Sequence, residues 1–337
     1  MFVLLAALGG SPANAVEPEL KWAVCLGGED YDIMTLEGKH GDYYVVSPTY
    51  TGGYRTPNGF DTTLDGPDIY IARIGGDGTL LWGTYLGGNS VENVYPGDAH
   101  VDSEGNLLLA GFTKSVDFPV VNAFDTTLGG GWDLFVAKIT TDGQIAWASY
   151  LGGSDGSESC YMSAVDGEGN LFVMGHSKST DFPMANGFNT TRNSVDDLFI
   201  AKVTSSGQLA WSTYTSDNRS RYGSGEASIA PDSTGNLYFT MRGSDGDYWT
   251  SDGSNGDMGA KPDIYAAKFT ADGDCAWAKM IGGSESDGYF IDAQTRCLVD
   301  GNDNLILAGY TNSPDFPASG GFDDSANGYV DVFLVKL

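Results

Sequence analysis

Basic residues are scarce in this chain: 17 lysines and arginines stand against 45 aspartates and glutamates, a net charge of −28. Such a polyanionic surface repels phosphate backbones and anionic lipid headgroups, which argues against nucleic-acid and membrane-surface partners. Long apolar runs are also missing. Phe2 to Leu8 is the longest near the start, too short to span a bilayer, so no transmembrane segment is expected. With the small-residue pattern Ala13-Asn-Ala15 behind it, this run reads as a secretory signal peptide over residues 1–15, although its basic leading region is absent. The expected location is therefore outside the cell or on its surface. Nowhere do apolar residues recur at i, i+3, i+4, so helix is marginal at most.

Reactive side chains are few. The three histidines, His40, His100 and His176, suggest no Ser-His-Asp or Cys-His set. The four cysteines, Cys25, Cys160, Cys275 and Cys297, form no CxxC or Cys/His zinc pattern. Spacing leaves their three possible pairings open, and free thiols behaving as small hydrophobes are the favoured reading.

Glycine is abundant, at 48 residues, and aromatics make up 12%. Both belong to a repeat. Trp22, Trp82, Trp147, Trp211 and Trp277 recur about every 60–66 residues. Asp133-Leu-Phe-Val-Ala-Lys-Ile139, a short Asp-Gly turn and Ile145-Ala-Trp-Ala-Ser-Tyr-Leu-Gly-Gly153 predict two antiparallel strands, and close copies start at Asp68, Asp197 and Asp263. Two more strands precede each copy, as in His100-Val-Asp102 and Leu107-Leu-Leu-Ala-Gly111. Four antiparallel strands per period fit a propeller blade, lettered A (inner) to D (outer). The chain opens on a D strand, residues 20–26, and closes on Asp331–Leu337, a C strand. That phase predicts an all-β, five-bladed β-propeller over residues 16–337, with units of about 29–87, 88–152, 153–215, 216–282 and 283–337. The N-terminal strand would complete the last blade and close the ring.

These units resemble the SBBP beta-propeller repeat of bacterial exported and surface proteins. The resemblance rests on Tyr-Leu-Gly-Gly after the tryptophan, on turns such as Val101-Asp-Ser-Glu-Gly-Asn106, on Gly111-Phe-Thr-Lys-Ser-Val-Asp-Phe-Pro119 with its copies ending at Pro183 and Pro317, and on the Asp-x-Phe-Val-x-Lys strand. It implies a propeller outside the cell and supplies no catalytic residues. The first unit departs from the pattern at Ser47–Tyr54, and the fourth at Tyr214–Tyr222 and Met241–Lys261.

Most recurrent acids have structural readings. Asp102, Asp166, Asp232 and Asp300 precede glycine turns that they can cap. Asp68, Asp133, Asp197, Asp263 and Asp331 stand five residues before Arg73, Lys138, Lys202, Lys268 and Lys336, an odd offset that places the two on opposite strand faces. Their links should run to neighbouring strands. Asp117, Asp181 and Asp315 are expected to brace loops.

Two sets remain. Glu29, Glu92, Glu158, Glu226 and Glu285 lie in the long D–A loops and could ring the channel mouth as calcium ligands. Arg219, Arg221, Tyr222, Arg242, Tyr248 and Trp249 bring cations and aromatic planes to the long-loop face of the divergent fourth unit, suiting a glycan or a surface protein. The expectation is a monomeric binding module needing no cofactor beyond possible calcium. A structural spacer in a surface assembly is the alternative. An enzyme is the rival class, since some five-bladed propellers cleave glycosides with two carboxylates about 5–9.5 Å apart. Spacing nominates no such pair here.

Overall fold

The structure, a computed structural model, describes residues 20–26, 34–95, 97–192, 196–215, 227–243, 247–249, 255–257, 261–290, 293–294, 296–323, 325–326 and 328–337. The signal-peptide reading lies outside the described residues. Antiparallel sheets follow one another along the chain. Sheet 1 contains Met34–Glu37, Tyr43–Thr49, Asp68–Ile74 and Leu80–Leu86 as strands A to D. In sheet 2, Glu92–Asn93 and Ala99–Val101 share the A position, both pairing with Leu107–Thr113, followed by Asp133–Ile139 and Ile145–Leu151. Sheet 3 is Glu158–Val165, Leu171–Ser177, Asp197–Val203 and Leu209–Tyr214. Sheet 4 is Ala227–Pro231, Leu237–Gly243, Asp263–Phe269 and Cys275–Ile281. Sheet 5 has three strands, Arg296–Val299, Leu305–Thr311 and Asp331–Lys336.

The hydrophobic core lies between sheets. Period-2 alternation gives the strands of the interior sheets two apolar faces, each of which packs on a neighbouring sheet. One cluster joins Ile71 and Trp82 of sheet 1 to Leu107, Phe135 and Ile139 of sheet 2. The next joins Leu108, Val136 and Trp147 to Val173 and Phe199 of sheet 3, and a third joins Phe172 and Trp211 to Phe239 and Phe269 of sheet 4. A fourth unites Tyr238 and Ile264 with Leu307 and Phe333 of sheet 5.

The tryptophans set this stacking. In sheets 1 to 4 the C–D register slips beside the tryptophan, as between Lys138 and Ile139, where Lys138 faces Trp147. The indole then reaches the C–D turn of the next sheet: Trp82 Nε1 donates to Thr141 O at 2.9 Å, Trp147 to Ser205 O at 3.0 Å, and Trp211 to Ala271 O at 3.0 Å. Glycine at that turn is required twice over. Gly207 has φ +82°, and an added Cβ would sit 2.4 Å from Trp147 Cγ.

Ring closure is where structure and sequence differ. Residues 20–26 carry no strand, and among the described residues Asp331–Lys336 pairs with Leu305–Thr311 alone. Trp22 nevertheless takes the place expected of a D-strand tryptophan, donating from Nε1 to Gly76 O at 2.9 Å and covering Gly78 of sheet 1. An indole can dock through one hydrogen bond and its ring contact with Tyr43, whereas strand pairing needs a whole backbone register. The outward face of sheet 5 stays open, with Val332 73% and Leu334 74% exposed.

The basic residue near the end of each C strand, Arg73 in sheet 1 and a lysine in the others, pairs across to the turn aspartate of its own sheet. Lys138 Nζ lies 2.8 Å from Asp102 Oδ2 and Lys268 Nζ 2.8 Å from Asp232 Oδ2. The same aspartates cap their turns, Asp102 Oδ1 accepting from Glu104 N and Asn106 N at 2.9 Å. None of the four cysteines is in a disulfide. No helix among the described residues is long and apolar enough to cross a membrane.

Candidate functional site

The Gly-Gly after each tryptophan strand turns out to be a seam between successive sheets. An added Cβ at Gly87 would meet Asp68 Oδ1 at 2.2 Å and Glu92 Oε2 at 2.6 Å; one at Gly88 would meet Asp117 Oδ1 at 2.5 Å and Ser115 Cβ at 2.7 Å. Gly153 faces Ser179 and Asp181 in the same way, and Gly283 faces Ser313 and Asp315. The Asp-Phe-Pro aspartates brace the loop of the preceding sheet: Asp117 Oδ1 accepts from Asn89 N at 2.9 Å, Asp181 Oδ1 from Ser154 N at 2.7 Å, and Asp315 Oδ1 from Ser284 N at 2.8 Å. The phenylalanines beside them, Phe118 and Phe182, are buried.

Glu92 and Glu158 lie within this seam, buried, and not open at a channel mouth. Glu92 accepts from Gly88 N at 2.9 Å and Thr113 Oγ1 at 2.5 Å, and Glu158 Oε1 from Ser177 Oγ at 2.7 Å and Ser179 Oγ at 2.6 Å. In the fifth unit Asp287 takes this position, accepting from Gly283 N at 2.7 Å and Ser313 Oγ at 2.8 Å. Glu285 is instead half exposed and pairs with Lys261 Nζ at 2.5 Å. Counting four residues from the second glycine, as from Gly88 to Glu92, finds Asp287 in the sequence. Glu29 and Glu226 lie outside the described residues. Each seam acid abuts the first aspartate of the preceding C strand, and burial with like charge pushes Asp68, beside Glu92, up to about 7. Burial and Asp287 do the same to Asp263, also to about 7.

Of the fourth-unit residues, Arg219, Arg221 and Tyr222 lie outside the described residues. Arg242 is not presented to solvent as an open cation; its Nε donates to Asp287 O at 3.2 Å. Tyr248 and Trp249 belong to a two-stranded ribbon, Asp247–Trp249 against Asn255–Asp257.

A different constellation forms where sheets 2 and 3 meet at the long-loop end. Trp132, just before strand C of sheet 2, packs edge-on against Phe112 with ring centroids 5.1 Å apart, and Phe112 in turn meets Tyr95 at 5.3 Å. Lys114 Nζ sits 4.2 Å over the Trp132 ring. Tyr95 is 48% exposed. Tyr161 packs on His176 at 4.8 Å, and His176 Nδ1 lies 3.1 Å from Asp196 Oδ1. Seven side chains from two sheets thus gather at this end in two contacting groups, Lys114–Trp132–Phe112–Tyr95 and Tyr161–His176–Asp196.

Beneath them sits an acid. Ala110 N donates to Asp98 O at 3.0 Å, which places Asp98 one pleat below Phe112 on the face toward sheet 3. Asp98 is buried, and Oδ2 has no hydrogen-bond partner among the described residues. Burial pushes its carboxyl up to about 7, against the opposing pull of hydrogen bonds from Cys160 and Ser163. His100 Nε2 lies 2.8 Å from Ser163 Oγ, and burial lowers this imidazole to about 4, so it is neutral at pH 7. No sequence spacing marks this cluster. His100 and Ser163 meet only because adjacent A strands pack side by side.

Solved structures similar to this chain include the alpha-L-arabinanase of Penicillium chrysogenum complexed with arabinobiose, at 11% identity over 81% of this chain and 73% of that one, TM-score 0.38. The NanB sialidase of Streptococcus pneumoniae matches at 8% identity over 86% and 58%, TM-score 0.43. The GH93 alpha-L-arabinofuranosidase of Fusarium graminearum matches at 12% over 90% and 91%, TM-score 0.34. At these scores no residue correspondence is transferred. No curated protein matches the chain. The expectation of a binding module on the fourth unit is corrected: Arg242 is bonded to Asp287 O and no site forms from that unit's residues among the described residues, and the similar solved structures are an arabinanase, a sialidase and an arabinofuranosidase. Residues 146–183 match the SBBP family, described as a beta-propeller repeat, the same unit that the sequence resembles.

Proposed function

We propose that this chain is an exported glycoside-active enzyme working on a polysaccharide laid across the junction of sheets 2 and 3. The observation that supports this reading is the row of aromatic side chains, Trp132, Phe112 and Tyr95, with Tyr161 of sheet 3 at the same end, above a buried carboxyl, Asp98, that burial pushes up to about 7 and so leaves partly protonated at neutral pH. Sugar rings stack their C–H faces on such planes, while Lys114 and Asp196 offer hydrogen bonds at either end. Glycosidic cleavage needs a protonated acid at the leaving oxygen and an ionised carboxylate opposite it. Asp98 is suited to the first role, and Asp196, oriented by His176, to the second.

Reducing ends released from a polysaccharide panel that includes arabinan and sialylated glycans provide the test. Asp98→Asn is expected to lower turnover about 10²–10⁴-fold, and Trp132→Ala to raise KM with little change in kcat. A folded chain that cleaves nothing in the panel, or a D98N variant as active as the parent, defeats the proposal.

We also propose that residues 20–26 close a five-bladed ring in solution by pairing along Asp331–Lys336. The Trp22 dock on sheet 1 supports it, because it repeats the tryptophan-to-turn contact that joins the other sheets. Backbone amide exchange in Asp331–Lys336 should be slow in the full chain and fast when residues 1–26 are deleted. Equal exchange in both would leave the ring open.

A further inference from the structure

Asp68, Asp133 and Asp263 each begin a C strand, and each meets a carboxylate entering the following sheet. The backbone fixes these meetings: Glu92 N donates to Pro67 O at 2.8 Å, Glu158 N to Trp132 O at 2.8 Å, and Asp287 N to Pro262 O at 2.7 Å. Every such hydrogen bond sets the acid of one sheet beside the acid of the next. We propose that the pairs Asp68–Glu92, Asp133–Glu158 and Asp263–Asp287 each bind one calcium ion, which staples successive sheets together at the Gly-Gly seam.

Three features point to a cation. Five of the six acids are buried, Asp68 being 1% exposed, Glu158 3% and Asp287 0%, and Asp263 is half-buried. Oxygen atoms in each seam lack partners: Asp68 Oδ1, Glu158 Oε2, Asp263 Oδ1 and Asp287 Oδ1 accept no hydrogen bond among the described residues. Among those residues, no lysine or arginine forms an ion pair with any of the six acids, although every other recurrent aspartate of the A–B turns has its own lysine. Two buried like charges in contact are unfavourable without a counter-ion or a shared proton.

The glycines shape the gap. Position 87 would place a Cβ between Asp68 Oδ1 and Glu92 Oε2, and a Cβ at Gly282 would lie 2.1 Å from Asp263 Oδ1. Keeping the side chain absent leaves room for an ion among oxygens. Calcium suits such a site because it accepts carboxylate, hydroxyl, carbonyl and water oxygens in irregular geometry, whereas magnesium demands a near-ideal octahedron. The ligands come from two sheets, so binding opposes separation of the sheets. This site differs from a ring at the channel mouth: its acids face one another in pairs, and Asp287, not Glu285, supplies the fifth unit's ligand.

The test is a calcium titration of the chelator-stripped chain, following the melting temperature and counting bound ions by equilibrium dialysis. Three or more calcium ions per chain are expected, with a rise of several degrees that magnesium at equal ionic strength does not reproduce. Glu158→Gln should remove one ion, and Glu285→Gln, altering an exposed acid paired with Lys261, should remove none. Should E158Q fail to fold, the ion count and the calcium-specific shift of the parent chain still decide the matter. No bound calcium, or a melting temperature that follows pH and ignores calcium, overturns the proposal and assigns each pair a shared proton.

Discussion

Replacing Trp147 with alanine is expected to cost about 3–5 kcal/mol of unfolding free energy, the range for large aromatic truncations in a core. Trp147 is buried in the cluster between sheets 2 and 3, where it packs with Leu108, Val173 and Phe199. Its indole N–H is also spent on Ser205 O, so truncation orphans a carbonyl as well as opening a cavity. Gly207 cannot fill the space, because its backbone lies at φ +82°. Denaturant unfolding should show a lower midpoint together with a broader transition, as the packing between sheets 2 and 3 loosens. The same change at Trp22, which is only partly buried, should cost less. Equal costs at the two sites would mean that the tryptophan stack does not organise the fold.

Lys138→Met should destabilise the chain by about 3–5 kcal/mol, the cost of breaking a buried ion pair from one side. Lys138 and Asp102 are 10% and 2% exposed, and the ammonium lies 2.8 Å from Oδ2. Burial alone would raise the Asp102 carboxyl; the Lys138 ammonium and the Asn106 hydrogen bonds overcome it and hold the group below the usual carboxylate range. The sign of the pH effect follows. A depressed folded-state value contributes stability above the unfolded carboxylate's range, near pH 4, and loses it as pH falls through the folded value. Without Lys138 that contribution vanishes, so acid unfolding should begin at higher pH. Adding Asp102→Asn to the lysine variant should restore part of the loss, since the uncompensated buried charge is then gone. A K138M chain with unchanged acid stability would refute the pairing.

Much of this was written locally in the chain. Strand C and strand D are legible because Asp-x-x-x-Ala-Lys alternates around a two-fold period and an Asp-Gly turn follows. The turn role of Asp102 and its copies is legible for the same reason, since an aspartate bonding to N–H groups two and four residues ahead needs no distant partner. The lysine's partner was half legible: the odd offset from Asp133 to Lys138 excludes an in-strand pair, but Asp102 emerges only from the B–C register, Leu108 against Lys138.

The candidate site was not legible. The symmetry-breaking fourth unit drew attention because its letters differ, yet Arg242 is bonded to Asp287 O. The aromatic row uses ordinary repeat positions, Phe112 at the end of strand B and Trp132 just before strand C, so nothing in the letters singles it out. Asp98 reads as one acid among 45. It is distinguished only by burial beneath Phe112 and by the Cys160 and Ser163 groups brought to it from the next sheet.

The sequence by itself determined the repeat, its four-strand phase, the turn chemistry and the acidic surface, because each rests on contacts between residues a few positions apart. Tertiary structure decided which acids are exposed, which face one another across the Gly-Gly seam, and which histidine meets which serine. Those outcomes depend on how one sheet stacks on the next, at separations of about one repeat, where hydrophobic packing and strand register set the geometry and local pattern carries no signal.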